Sequence, residues 1–222
     1  QAYIAAERNQ VFFTSTFEEL GYKIKDIRDV SKNKFQYLVP KVMVSPRGNP
    51  DGANVLEPLY PSVEIREMNL SDVPFYNETR NLSRDMLHDN SSYTLQESQE
   101  WFQETNPSFF IILEKGERIG YFRTSNYSEK NKNIYIGADI HPNFRGEGHA
   151  FDAYVLFIQR LFDGNPLHKI SLEVLSNNEP AYRLYCKLGF VHEGAKRQEV
   201  YRENGYLDSI VMSLLREEWD RD

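Results

Sequence analysis

The sequence holds one cysteine in 222 residues. No disulfide can close within such a chain, and a lone thiol suits a reducing compartment. The five histidines are scattered without metal-ligand spacing, so nothing in the pattern supports a metal site. Basic charge is also in short supply, with 26 Lys and Arg against 33 Asp and Glu and a net charge of −7. A surface of that sign repels phosphate backbones, which argues against nucleic acid as a main partner. Long apolar runs are missing as well. Near the middle of the chain the longest is Phe-Phe-Ile-Ile-Leu at 109–113, far short of the ~20 residues that span a bilayer. No basic-then-apolar leader opens the chain at Gln1. These absences predict a cytoplasmic protein with neither a membrane nor a nucleic-acid partner. What is present is globular composition, 40% hydrophobic and 14% aromatic, in a chain long enough to bury a sizeable core.

The pattern along the chain predicts two parts. Residues 3–20 read as a helix ended by Gly21, and 22–30 and 35–44 as strands joined by a polar turn at 31–34. A helix and a hairpin bury little alone. The module 1–45 is therefore expected to pack on the remainder, on a second copy as a homodimer, or on a domain outside this chain. Beginning at Gln1 rather than methionine, the chain also reads as trimmed or as a remnant of a longer protein. Proline and glycine crowd residues 46–62, the clearest linker. From 63 to 222 the reading is α/β with a mixed sheet. Strands are expected at 63–68, 109–114, 118–125, 134–140, 169–175, 190–201 and 206–215. Helices are expected after a cap at Ser71 or Asp72, at 94–104 behind a Thr94/Glu97 capping box, and at 148–162 and 179–188. Strand–helix–strand–helix order in the middle predicts parallel crossovers.

Two segments carry chemistry. In Ile140-His141-Pro142-Asn143-Phe144-Arg145-Gly146-Glu147-Gly148-His149-Ala150, a strand ends and two glycines open a helix. Glycine lets backbone N–H groups come close to a ligand, and a helix N-terminus is an anion site. Arg145 adds charge-assisted donors. The segment reads as a pyrophosphate cradle, although a glycine turn can also exist for packing alone. It is not the Gly-Lys-Ser/Thr phosphate loop, nor the Gly-x-Gly-x-x-Gly dinucleotide fingerprint. The second segment runs from Leu172-Glu173-Val174 through Asn178-Glu179-Pro180-Ala181 to Leu184-Tyr185-Cys186-Lys187-Leu188-Gly189-Phe190.

Taken together, Arg-Gly-x-Gly-x-Ala and the later Asn-x-x-Ala-x-x-Leu-Tyr-x-Lys-Leu-Gly-Phe resemble the GNAT superfamily of acetyl-CoA-dependent N-acetyltransferases. The late stretch from Gly205 to Met212 resembles the branch holding ribosomal-protein N-terminal, sugar-nucleotide and polyamine acetyltransferases. The resemblance covers about 63–219 and does not reach the first 60 residues. It implies the GNAT fold with central splayed parallel strands, and acetyl-CoA as co-substrate without a metal. It further implies that Arg145, Gly146, Glu147, Gly148, His149 and Ala150 wrap the CoA pyrophosphate. Asp139 and Ile140 would pair with the pantetheine arm, and Asn178 would lie near that arm. Tyr185 corresponds to the family's general acid and Glu173 to its general base. Asn143 departs from the family's frequent Gln or Arg at that position.

The residues also admit plainer readings. Ile170, Leu172 and Val174 alternate to one face, so Glu173 is expected on the opposite, open face, as a base or as a solvated carboxylate. Tyr185 falls on the apolar stripe of its helix, Asn178 suits an N-cap, and Gly189 suits the helix end. Nothing in the sequence places a base beside Cys186, so direct transfer is expected rather than an acyl-enzyme. The expected reaction acetylates a primary amine of a small molecule, an amino-sugar nucleotide foremost, or of a protein N-terminus. The rival readings are a non-catalytic CoA- or amine-binding module and the acetyltransferase half of a bifunctional sugar-modifying enzyme. Acceptor choice is expected to lie in 72–90, 107–109 and the late hairpin, which carry no readable code.

Overall fold

The computed structural model describes residues 22–24, 44–46 and 63–221. The chain divides into two compact units, 1–62 together with 222, and 63–221. In the first, β1 (Tyr22–Ile24) pairs antiparallel with β2 (Val44–Pro46), Tyr22 opposite Pro46. β2 thus continues to Pro46, into the stretch expected as linker. The expected helix at 3–20 and the turn at 31–34 lie outside the described residues.

The second unit is an α/β fold on a mixed sheet. Its strands are β3 (Val63–Glu67), β4 (Phe109–Glu114), β5 (Glu117–Ser128), β6 (Asn133–Ile140), β7 (Lys169–Leu175), β8 (Val191–Arg202) and β9 (Gly205–Leu215). They form one sheet in the order β3-β4-β5-β6-β7-β9-β8. Helices α1 (Val73–Ser83) and α2 (Leu95–Thr105) follow β3, and α3 (His149–Gly164) joins β6 to β7. α4 (Glu179–Lys187) precedes β8, and α5 (Arg216–Arg221) ends the unit. Of the expected parallel crossovers, only β6–β7 gives a parallel pair. After α4 the chain enters the sheet at its edge as β8, and β9 returns antiparallel between β8 and β7.

Strand alternation decides which face each aromatic joins. Phe109 and Tyr121, 5.8 Å apart, both meet Tyr76 of α1, at 5.5 and 4.9 Å between centroids, and Phe109 also meets Trp101 of α2 at 5.4 Å. Phe110 and Phe122, one residue along, pack instead on Phe157 of α3 at 5.2 and 4.2 Å. Tyr154 of α3 then meets Tyr185 of α4 edge-on at 5.4 Å. The sheet is covered by α1 and α2 on one face and by α3 and α4 on the other.

Helix starts combine expected and unexpected caps. Thr94 caps α2 with the reciprocal Glu97 bond, and Asn178 caps α4 by accepting from the Ala181 N–H at 3.3 Å. Asp72 gives α1 no side-chain cap. Instead Asn69 caps the short 3-10 turn before it, and Asp72 is buried under two arginines. Arg66 Nη1 and Nη2 and Arg118 Nε each donate to its carboxylate at 2.7 Å. Burial alone would raise its pKa, but these donors and the Asn69 N–H hold it at about 2.

Candidate active site

The central feature is where β6 and β7 part. Their parallel ladder runs only through Asn133↔Lys169, Ile134↔Ile170 and Tyr135↔Ser171. Beyond Tyr135, β6 stays paired with β5 as far as Ile140, but it has no ladder partner on its β7 side. A strand edge left open between two covered faces can receive an extended chain bearing amide groups.

Just past this opening, the 140–150 segment forms the turn into α3. Gly146 and Gly148 have φ of +86° and +90°, and Gly148 is the helix N-cap. A Cβ built on either meets no atom within 4 Å. Glycine is required there by backbone conformation and not by crowding. In the first turn of α3 the Phe151 N–H returns to the Gly148 carbonyl at 2.9 Å, while the His149 and Ala150 N–H groups precede any intrahelical acceptor, an arrangement that fits an anion such as a pyrophosphate. The loop's side chains turn aside from it. Arg145 Nε donates to the Ile140 carbonyl at 2.8 Å, and Nη2 donates to Ser83 Oγ of α1 at 2.6 Å. His149 Nε2 lies 2.9 Å from a Glu147 oxygen and 3.0 Å from a Glu114 oxygen. Arg145 therefore braces the loop against α1, while the backbone presents the donors.

Tyr185 is 7% exposed, and its hydroxyl lies 3.1 Å from the hydroxyl of Tyr154. Burial raises its pKa, and Asp139 and Arg123 stand close enough to perturb it in opposite senses. At neutral pH it is a protonated donor.

Glu173 differs from its expected setting. Its face of β7 is not open, since Ser171 and Leu175 on either side are buried, and Glu173 itself is only half-buried between them. Its Oε1 accepts from Lys196 Nζ at 2.5 Å, and its Oε2 accepts from Ser209 Oγ at 2.9 Å. Burial works against the charge, yet Lys196 and Ser209 hold the pKa below the ordinary glutamate value. His88 completes this network, with Nε2 2.7 Å from Ser209 Oγ. Ser209 gives its only proton to Glu173, so His88 Nε2–H is the donor in that contact. Nδ1 then carries the lone pair. Burial lowers the His88 pKa, with Glu173 opposing and Arg123, Lys196 and Arg202 reinforcing, so the ring is neutral at pH 7.

His88 also lines a pocket of about 250 Å³ with Tyr76, Arg80, Leu87, Asp89, Phe109, Tyr121 and Arg123. All but Tyr121 and Arg123 come from the two segments 72–90 and 107–109. Arg202 Nη2 donates to the Leu87 carbonyl, tying the pocket wall to the late hairpin. Arg123 is the residue the sequence did not reveal. It crosses β6 over Gly137, its register partner, and Nη1 donates to Asp139 Oδ2 at 3.0 Å. A Cβ at Gly137 would lie 2.7 Å from its Cζ, so glycine makes room for the guanidinium. The only signal was an arginine and a glycine on neighbouring strands, readable once the register is known. Asp139, expected to act through its backbone, uses its side chain to anchor Arg123. Among the described residues, no group of His, Cys, Asp and Glu could hold a metal ion.

Comparison with known proteins agrees with this geometry. Residues 62–191 match the family model described as an acetyltransferase (GNAT) domain. The SPbeta prophage-derived uncharacterized N-acetyltransferase YokL of Bacillus subtilis (strain 168) is 29% identical over 126 residues, 55% of this chain and 71% of that protein. The spermidine N(1)-acetyltransferase of Escherichia coli (strain K12) is 24% identical over 169 residues, 71% of this chain and 88% of that protein. Among solved structures, a spermidine N-acetyltransferase from Vibrio cholerae in complex with CoA and spermine superposes with a TM-score of 0.65 at 22% identity, covering 71% of this chain and 98% of that one. At that identity the likeness is one of fold.

Proposed function

The chain belongs to the GNAT acetyltransferase family, with acetyl-CoA as co-substrate, and we propose that it acetylates an amino-sugar nucleotide or a protein N-terminus whose primary amine enters the pocket beside His88. The observation that carries this reading is the opening of β6 from β7 between that pocket and the glycine turn into α3. Backbone N–H groups of 146–150 hold the pyrophosphate, and Arg145 keeps the loop in place. The free edge of β6 around Asp139 and Ile140 pairs with the pantetheine arm. Asn178 shapes the start of α4 beside it.

The incoming amine must be neutral to attack, whereas an alkylamine has a pKa near ~10.4. His88 Nδ1 takes its proton, and Glu173 stabilises the resulting imidazolium through Ser209. In this role Glu173 acts through His88, since Lys196 and Ser209 already occupy its oxygens. Backbone N–H groups along the β6 edge stabilise the oxyanion of the tetrahedral intermediate. With Tyr154 donating to Tyr185, the Tyr185 proton is left for the departing thiolate. Transfer is direct in this reading, since Cys186 lies outside the pocket lining where the amine would bind.

Gly146→Val tests the cradle. A branched residue at φ +86° strains the turn and places methyl groups where the pyrophosphate would sit. Calorimetry is expected to show acetyl-CoA affinity falling at least tenfold in the folded variant. Unchanged affinity contradicts the reading.

A further inference from the structure

We propose that the pocket is a subsite for an anionic group on the acceptor, with Arg123 as the residue that binds it. This rests on the acetyl-transfer reading above and narrows its acceptor to amines that carry a carboxylate or phosphate near the nitrogen. Four observations lead there.

The first is how differently the two pocket arginines are engaged. Arg80 makes three hydrogen bonds within the chain: Nη1 to the Ser91 carbonyl at 2.6 Å, and Nη2 to the Asp89 carboxylate at 2.6 Å and its carbonyl at 3.3 Å. Its plane also lies over the Tyr93 ring, 4.3 Å from the centroid. Arg123 has one hydrogen bond among the described residues, from Nη1 to Asp139. Its remaining N–H groups have no acceptor there, and its side chain is 37% exposed where it lines the pocket.

The second is the balance of charge on the walls. Asp89 is the pocket's carboxylate, and it is already bound by the Ser91 N–H, Tyr93 and Arg80, which hold its pKa at about 2. His88 is neutral. The partner of Arg123, Asp139, is buried and lies behind the lining. Counted over the lining alone, Arg80, Arg123 and Asp89 leave one net positive charge; Arg80 is paired with Asp89 within the lining, whereas Arg123 shares Asp139 behind it through Nη1 only.

The third is the fit of the guanidinium. Gly137 clears the space in which it lies across β6, so a planar fork with free N–H groups is held at the pocket. Forks of this kind bind carboxylate and phosphate oxygens in pairs. The fourth is size. About 250 Å³ admits a sugar or amino-acid head group but no whole nucleotide. Tyr76, Phe109 and Tyr121 supply apolar walls, and Arg123 and His88 supply an anion contact and a base. Arg123 and His88 line the same pocket of about 250 Å³, so an anion held by one shares that space with an amine at the other. A polyamine is a pure cation, and the same arginine repels it.

The test measures thiol release from acetyl-CoA by the full chain on matched amines. Glucosamine 1-phosphate is paired with glucosamine, L-alanine with L-alaninamide, and spermidine stands alone. In at least one pair the anionic member is expected to have a kcat/KM roughly 10- to 100-fold above its neutral partner, carried mainly by KM. The two pairs separate a phosphate subsite from a carboxylate subsite. Arg123→Gln is expected to remove that advantage, and Arg123→Lys to keep part of it. The ratio within a pair does not depend on how much of a variant is folded. Neutral members or spermidine outpacing the anionic ones, or a ratio unmoved in Arg123→Gln, overturns the subsite alone. No thiol release with any amine overturns the acetyl-transfer reading and the subsite with it.

Discussion

At the scale of single residues, the account turns on a proton path and a leaving group. His88 faces the pocket, Ser209 links it to Glu173, and Lys196 caps the far side of that carboxylate. Residues that act as a unit lose activity non-additively. Glu173→Gln and His88→Gln are each expected to lower kcat/KM by about 10²-fold, with the double variant no worse than the poorer single. Losses that multiply would mean the two side chains act separately. Burial lowers the His88 pKa, so the base is free above that value and activity rises with pH through a midpoint below the ordinary ~6.5. That acid limb should vanish in His88→Gln. The loss in Glu173→Gln should shrink toward pH 9.5, where more of the amine is already neutral. Tyr185→Phe tests the other end of the reaction. It keeps the buried ring and removes the donor, so kcat on a slow acceptor should fall about 10²-fold with acetyl-CoA affinity retained. An unchanged kcat assigns the proton to another donor.

At the scale of elements, much of the fold follows from periodicity. Phe109/Tyr121 and Phe110/Phe122 separate onto the two helix layers because successive strand residues alternate faces. Gly189 at φ +90° ends α4 because its backbone can turn left-handed, and Phe190 N–H returns to the Tyr185 carbonyl at 3.0 Å. The glycine turn into α3 was legible for the same local reasons. What escaped is non-local. Arg123 over Gly137 depends on the β5–β6 register, which shifts between Ser125 and Ser128. The Lys196 bond to Glu173 depends on a β8–β9 hairpin whose register shifts between Lys196 and Val200. His88 follows a helical turn, in a stretch without periodicity. Asp72, one of two caps offered by the sequence beside Ser71, is a junction where β3, β5 and the entry to α1 are tied by two arginines. Asp72→Asn is expected to lower stability by about 2 kcal/mol, or roughly 5 °C in Tm. The native pKa of about 2 lies below the unfolded value near ~3.9, so this contribution is full above about pH 5 and fades as pH falls toward 2. Denaturant melts of both proteins at pH 7 and pH 3.5 check it. An equal gap at both pH values removes the charge from the explanation.

At the scale of the molecule, three sites converge on one opening in the sheet. The glycine turn into α3 lies past the end of β6, the Tyr154–Tyr185 pair spans α3 and α4, and the pocket lies against α1 and the start of β4. β6 contributes to two of them, since Asp139 anchors the pocket arginine and Ile140 accepts from the loop's Arg145. Such convergence is what direct transfer between two bound substrates needs, and holding both in reactive geometry can contribute about 7–11 kcal/mol toward the barrier. The rival reading, a module that binds without turnover, shares the fold but leaves the amine unchanged. The decisive measurement incubates the full chain with acetyl-CoA carrying carbon-13 in the acetyl carbonyl, together with the best amine of the panel, and follows the label by NMR. The account predicts that the label appears as an amide on the acceptor nitrogen at the rate of thiol release. Label that stays on the thioester, or is found only in free acetate, would contradict it.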